Sequence, residues 1–358
     1  MLICDKLVFI ELQKTGSTHI KQLLRELVGG LNDGKHNTPD RALLSRGLPF
    51  VGSVRNPWLW YLSLWSYGCQ GKGELFQRLT NEKRWQRLRE KAASRQPTQE
   101  NSAEGARPGA PSPERRLPLD WDVERARSWY ADPDDAHAFR EWLQAVLARR
   151  AMRQMLMAGY GKSPLGKAAG LMTYRYFSLF VQGADQLGPM FDSLPALQVM
   201  DRSNCIVSHF IRNESLATDF IETLEACGVP LNDAQRDQVL SARKVNTSTR
   251  PHGPSYYYDD ESIKLVARRE KFIIDKFGYA GAAPRRQAAS AGTVPADVPV
   301  RRLAPLPRPV AEPAPRAEPV PEAVPMLSAG ARLMAEAEAA RQRRKERHAE
   351  WMHAAAGA

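Results

Sequence analysis

The chain predicts an α/β fold, a parallel sheet flanked by helices, with a disordered proline-rich C-terminal tail. Two strand-to-helix units fall within the first 70 of its 358 residues, an arrangement that implies parallel strands with helices covering them. Beyond residue 280 the composition shifts to one that cannot build a core.

In the first unit, Leu7-Val8-Phe9-Ile10 is β-branched and aromatic-rich and reads as a buried strand. After a small polar loop, Ile20, Leu23, Leu24, Leu27 and Val28 recur at helical spacing until Gly29-Gly30. The second unit has Phe50 to Val54 as strand and Arg55 at its end. Asn56 caps the next helix, Pro57 takes its first position, and the helix runs through Tyr67. Residues 92–118 hold five prolines among small and polar residues and read as a flexible insertion. Phe139, Trp142, Leu143, Val146 and Leu147 mark a helix after the acidic start at residues 132–135, and Cys205 to Ile211 reads as a strand. A helix through Phe220, Ile221 and Leu224 ends at Gly228, and a last packed helix spans Ser262 to Phe277. These elements fill a domain over residues 1–280. A linker with eleven prolines follows at 281–325. The segment 326–358, rich in Ala, Glu and Arg, is a candidate partner-binding helix, with disorder as the alternative.

Lys and Arg outnumber Asp and Glu by 51 to 40, so anionic partners are expected, and charge alone does not select among nucleotides, acidic glycans, nucleic acid and acidic membranes. Cys4, Cys69, Cys205 and Cys227 are widely spaced, with no metal-binding or disulfide pattern, so no metal and a reducing, cytoplasmic location are expected. The run at 7–10 is too short for a signal core or a membrane span.

The loop of the first unit carries the chemistry. A strand feeding a loop and a helix aims unpaired N–H groups at one point, at the positive end of the helix dipole. Gly16 permits close approach, Ser17 and Thr18 add hydroxyls, and Lys14 brings a mobile cation. An ordinary turn with a capping Ser or Thr is the alternative. The order departs from a Walker loop, because Lys14 precedes Gly16 and no upstream glycine is present, and the neighbouring strand ends in Arg55 rather than a metal-binding acid. An ATP or GTP hydrolase is therefore disfavoured. Arg55 lies at the carboxyl end of a strand, where open α/β sheets bind ligands, and Ser63 follows two helical turns later. A structural salt bridge for Arg55 and a helix-surface position for Ser63 are the alternatives.

Lys14-Thr15-Gly16-Ser17-Thr18 after a strand, with Arg55-Asn56-Pro57 and Ser63, resembles the two donor-binding motifs of sulfotransferases that use 3′-phosphoadenosine 5′-phosphosulfate. The similarity is greatest to the carbohydrate-type branch, with Gln13 in place of its usual proline. "FIRNESLATDFIETLEACGVP", residues 210–230, is similar to the family's strand with Arg-x-Glu-x-Leu and a helix, and "VNTSTRP", residues 245–251, to its late Asn-x-Ser loop near the donor. The closing segment "YYYDDESIKLVARREKFIIDKFGYA" is similar to the last helix of bacterial members.

The resemblance covers residues 5–280 and is weakest between 70 and 200. It implies a P-loop-nucleotide-kinase-like sheet and a donor held by Lys14, Thr15, Gly16, Ser17, Thr18, Arg55, Ser63, Ser248 and Arg250. It also implies in-line sulfuryl transfer without a metal to a hydroxyl acceptor, a carbohydrate, and no nucleic-acid partner. Lys14 would stabilise the departing diphosphate. His36, in the polar connection "GKHNTPD", has an imidazole suited to take a hydroxyl proton near neutral pH, and related enzymes place a base in this interval. Glu11 is the runner-up base, and a turn histidine is the bland reading of His36. Trp58, Trp60 and Trp65 are expected in the core. A nucleotide-dependent kinase and a non-catalytic anion- or glycan-binding scaffold are the competing functions.

Overall fold

Leu2–Ile3 (β1) and Val8–Ile10 (β2) face each other across a tight turn in which the Cys4 N–H donates to the Leu7 carbonyl at 2.9 Å. So short a connection can only return the chain antiparallel. Ser17–Leu27 (α1) follows, and Gly29-Gly30 then swings the chain back to the outer edge, where Leu31–Asn32 (β3) pairs antiparallel with β1. Gly30 has φ 119°, and a side chain there would press within 2.7 Å of the Ile3 carbonyl.

After the short helix Arg41–Leu44 (α2), Phe50–Val54 (β4) pairs parallel with β2, and Val207–Arg212 (β5) pairs parallel with β4. The strand order is β3-β1-β2-β4-β5. The three strands that carry the site are parallel as expected, and the sheet as a whole is mixed. The two-residue strands β1 and β3 are too short for a periodic pattern to reveal them.

Alternate residues of β2 enter different cores. Val8 and Ile10 pack with Phe50 beneath Pro57–Cys69 (α3), Ala136–Leu147 (α7) and Leu171–Phe180 (α10). Phe9 packs with Val51, with Ile20, Leu23 and Leu24 of α1 and with Phe220 of Leu216–Ala226 (α12). Both faces are covered, which is why the strands read as continuous apolar runs. Trp58, Trp60 and Trp65 are buried in the first core, as expected.

Between α3 and β5 the chain adds Glu74–Leu79 (α4), Glu82–Ala93 (α5), Val123–Ser128 (α6), Ala158–Lys162 (α8), Leu165–Ala168 (α9) and Leu194–Asn204 (α11). After α12 come Asp233–Ser241 (α13) and Pro254–Tyr257 (α14). The last helix expected from the sequence is two, Asp260–Arg269 (α15) and Lys271–Phe277 (α16). The break falls at Glu270, whose fully buried carboxylate accepts from Tyr61 Oη, Met172 N, Thr173 N and Thr173 Oγ1. Four donors fix this carboxylate at the start of α10. Next to it, Arg269 donates to the carbonyls of Gly166, Lys167 and Ala169 at the end of α9.

The computed structural model describes residues 1–93, 122–148, 158–184, 193–242 and 250–281. Most of the insertion expected at 92–118, Ser248, nearly all of the linker and the whole segment 326–358 lie outside them. Met1–Arg285 forms one compact unit. Among the described residues no helix is long and apolar enough to cross a membrane.

Candidate active site

The loop from Glu11 to Gly16 leaves β2 at the centre of the sheet and enters α1. Gly16 is the residue before the helix, with φ 83°. The positive φ favours glycine, and a side chain there would also have to displace the Asn213 amide, whose Nδ2 would lie at 2.6 Å. Asn213 is positioned by its own N–H donating to Val54 O at 2.9 Å, which carries the β4–β5 pairing one residue past the strand. The N–H groups of residues 15 to 18 find no acceptor among the described residues. With the dipole of the eleven-residue α1 behind them, these N–H groups make the loop a candidate anion site.

Helix α3 supports the loop from below. The indole N–H of Trp60 donates to Gln13 O at 2.6 Å, and the ammonium of Lys14 lies 3.9 Å from the ring centre of Tyr67, one heptad further along the same helix. The α3 start is well capped. Asn56 Oδ1 accepts from Trp58 N and Leu59 N, and Pro57 occupies the first position, as the sequence predicts. Asn56 also donates to Gly281 O at 3.0 Å, and its N–H donates to Glu214 Oε1 at 2.9 Å. Glu214 thereby ties the end of β5 to the end of β4, a role the Arg212-x-Glu214 pattern alone does not reveal.

Three cations gather at this point. Arg55 donates to Lys14 O at 3.1 Å, and Arg250 lies close enough to act electrostatically on both Lys14 and Arg55. Burial first, then the like charges of Arg55 and Arg250, lower Lys14 to about 8. Burial lowers Arg55 to about 10 against the attraction of Glu214, with Arg250 adding to the lowering, and burial also lowers Arg250. Arg55 Nε, Arg250 Nη1 and Gln13 Oε1 are buried without a hydrogen-bond partner among the described residues. A structural salt bridge would have paired Arg55. Instead a donor nitrogen is left buried and unmatched, a cost that a bound anion removes.

His36 meets the start of the loop at Glu11. Its Nδ1 lies 2.9 Å from Glu11 O, and a carbonyl only accepts, so Nδ1 carries the hydrogen and Nε2 the lone pair. Burial is the main cause lowering its pKa below 6.5, and Arg175 and the Met1 ammonium push in the same direction. Lys14 (φ 62°) and His36 (φ 55°) are the non-glycine residues with positive φ among the described residues. Such conformations cost energy and gather at functional sites, and here they fall on the two residues expected to act in catalysis.

The remaining predicted residues divide. The Thr15 hydroxyl is committed to Leu12 O and Ser53 Oγ, which leaves its N–H for a ligand, whereas the Ser17 and Thr18 hydroxyls have no partner among the described residues. Ser63 is buried in α3 rather than on a helix surface, and no hydrogen bond joins it to Arg55 or the loop among the described residues. The Glu11 carboxylate is buried and ion-paired with Lys21, and only its carbonyl reaches His36. Sequence reasoning missed Trp60 and Tyr67 as loop supports, because tertiary packing alone brings them there.

Beside the His36 connection opens a cleft of about 1300 Å³, bordered by Thr38, Pro39 and Arg41 and by Tyr174, Ser178 and Gln182. Among the described residues no group of three His, Cys, Asp or Glu side chains is gathered where it could hold a metal. The fold is mixed α/β, with the candidate site at the carboxyl ends of its parallel strands. No protein-family model, curated protein or solved structure matches the chain.

Proposed function

We propose that the protein is a sulfotransferase that moves a sulfuryl group from 3′-phosphoadenosine 5′-phosphosulfate to a hydroxyl of a carbohydrate acceptor. One observation carries the reading. Lys14, Arg55 and Arg250 converge on a loop with unmatched N–H groups, and two of their guanidinium nitrogens are buried without partners. A ligand with two separate anionic groups suits the division between the loop with Lys14 and the strand end with Arg55. Roles for Ser63 and Ser248 rest on the resemblance alone.

The donor supplies an activated sulfur–oxygen bond whose leaving group is a phosphate. The acceptor oxygen forms the new bond to sulfur as the bond to the bridging oxygen breaks, and the acceptor proton passes to Nε2 of His36. Lys14, held over the Tyr67 ring, neutralises charge growing on the departing phosphate. His36 is ready for its part, being neutral at pH 7 and held in one tautomer by Glu11 O. The cleft beyond Thr38 has room for an acceptor of sugar dimensions.

Thermal unfolding tests donor class. The 3′,5′-diphosphate of adenosine should raise Tm, and ATP with Mg²⁺ should not. A shift with ATP and Mg²⁺ alone would replace this reading with a kinase. His36→Ala should abolish transfer and leave binding of the diphosphate intact, and near-normal turnover would remove His36 as the base.

A further inference from the structure

A second cationic cavity lies outside the loop site, on α4 and α5. It is an open depression of about 480 Å³ lined by Gln77, Arg78, Asn81, Lys83, Arg84 and Arg87, together with Glu74. Four cations face one carboxylate. Glu74 is matched to Arg78, whose Nε donates to it at 2.8 Å, so Lys83, Arg84 and Arg87 are left as excess positive charge. Arg84 Nε is buried without a partner among the described residues, while Lys83 and Arg87 are exposed. The platform is fixed, since Leu75, Leu79 and Trp85 are buried and the Trp85 indole N–H donates to Leu79 O at 2.7 Å. Keeping the Arg84 donor nitrogen out of water without an acceptor is unfavourable, and an anion placed there would also meet the exposed charges of Lys83 and Arg87.

The cavity is connected to the reaction site. Glu74, which binds Arg78 on one side, lies 3.8 Å from Arg175 on the other. Arg175 is almost wholly buried, lies over Trp60 at 5.7 Å and acts electrostatically on His36. Trp60 holds the loop through Gln13 O. A line of charged side chains thus links Arg175, which acts on His36, through Glu74 and Arg78 to the Arg84 side of the cavity.

We propose that the α4–α5 cavity is an exosite for an anionic oligosaccharide. The lining chooses among polyanions. Arginine and lysine match carboxylate or sulfate groups, and the amides of Gln77 and Asn81 match sugar hydroxyls. No aromatic side chain lines it, so it lacks the stacking surface with which proteins hold unpaired bases. That the bound chain is also the acceptor rests on the sulfotransferase reading; the exosite itself does not.

The test uses the full chain and a fluorescent dextran sulfate oligosaccharide, with neutral dextran of the same length and an oligothymidylate of equal charge as comparisons. The dextran sulfate should bind with an affinity that falls as salt rises, neutral dextran should not bind, and the oligothymidylate should bind more weakly. Lys83→Glu/Arg84→Glu/Arg87→Glu should lower dextran sulfate affinity by at least about 10-fold, the scale of losing one or more charged hydrogen bonds. The milder Lys83→Gln/Arg87→Gln pair changes only exposed residues and should weaken it in the same direction with Tm unchanged. Binding of adenosine 3′,5′-diphosphate should be the same in all variants. Unaltered dextran sulfate binding by either variant, or tighter binding of the oligothymidylate, would overturn the exosite. A chain that binds dextran sulfate through these residues and ignores the diphosphate would keep the exosite and lose only the sulfotransferase reading.

Discussion

Lys14 is where the electrostatics of the site can be measured. Its ammonium is lowered to about 8 by burial and by the two arginines, so in the free protein it begins to lose its proton in mildly alkaline solution. A bound phosphate opposes that loss. Adenosine 3′,5′-diphosphate affinity should therefore be full below pH 8 and fall as pH rises through and above it, with proton uptake on binding in that window, both read by calorimetry in buffers of different ionisation enthalpy. In Lys14→Ala the alkaline fall should disappear. The proposed role of His36 predicts the opposite limb. Because burial lowers its pKa below 6.5, kcat/KM should hold down to that pH and decline only in more acid solution as the imidazole takes up its proton. Lys14 and Gly16 were legible in the sequence because a strand, a small polar loop and a helix lie consecutively along it. Their relation to Arg250, more than two hundred residues away, was not, since no local pattern records which distant side chain a fold delivers.

At the level of elements, the helix-to-helix corner at Arg269-Glu270 is the part the sequence hid. Glutamate is a good helix former, and the apolar face from Ile263 to Phe277 continues across it, so periodicity reads one helix. What breaks the helix is tertiary. Glu270 meets the free N–H groups at the start of α10, and Arg269 meets the free carbonyls at the end of α9, so one dipeptide closes two neighbouring helix ends. Glu270→Ala would leave Tyr61 Oη, Thr173 Oγ1 and two backbone N–H groups buried without an acceptor, and should cost about 2–4 kcal/mol of unfolding free energy by urea denaturation. Glu270→Gln, which keeps two acceptor positions fewer than the carboxylate and adds donors, should fall between. Element β4–α3 shows the contrary case. Its strand, its asparagine cap and its proline are all local signals, and the structure has them where the sequence puts them.

For the whole molecule, the compact unit Met1–Arg285 contains the site, and its final described residues take part in it. Tyr279 Oη donates to Glu214 at 3.4 Å and Gly281 O accepts from Asn56, both beside Arg55. A chain ending at Arg285 should keep the Tm and diphosphate affinity of the full protein. One ending at Gly278 should bind the diphosphate roughly 3- to 10-fold more weakly, the scale of one or two lost hydrogen bonds, in a direct titration.

The strand order carries a consequence for how the protein is made. The anion loop and Arg55 are translated within the first 55 residues, yet Asn213 and Glu214, which hold them, come from β5 and its sequel, and Arg250 and Tyr279 come later still. On the ribosome, a nascent chain carries the loop for most of its synthesis without the wall that shapes it. Ligand can then stabilise only a chain that has reached Arg250 and the Tyr279–Gly281 end of the compact unit, so its presence during translation should favour such chains over shorter ones.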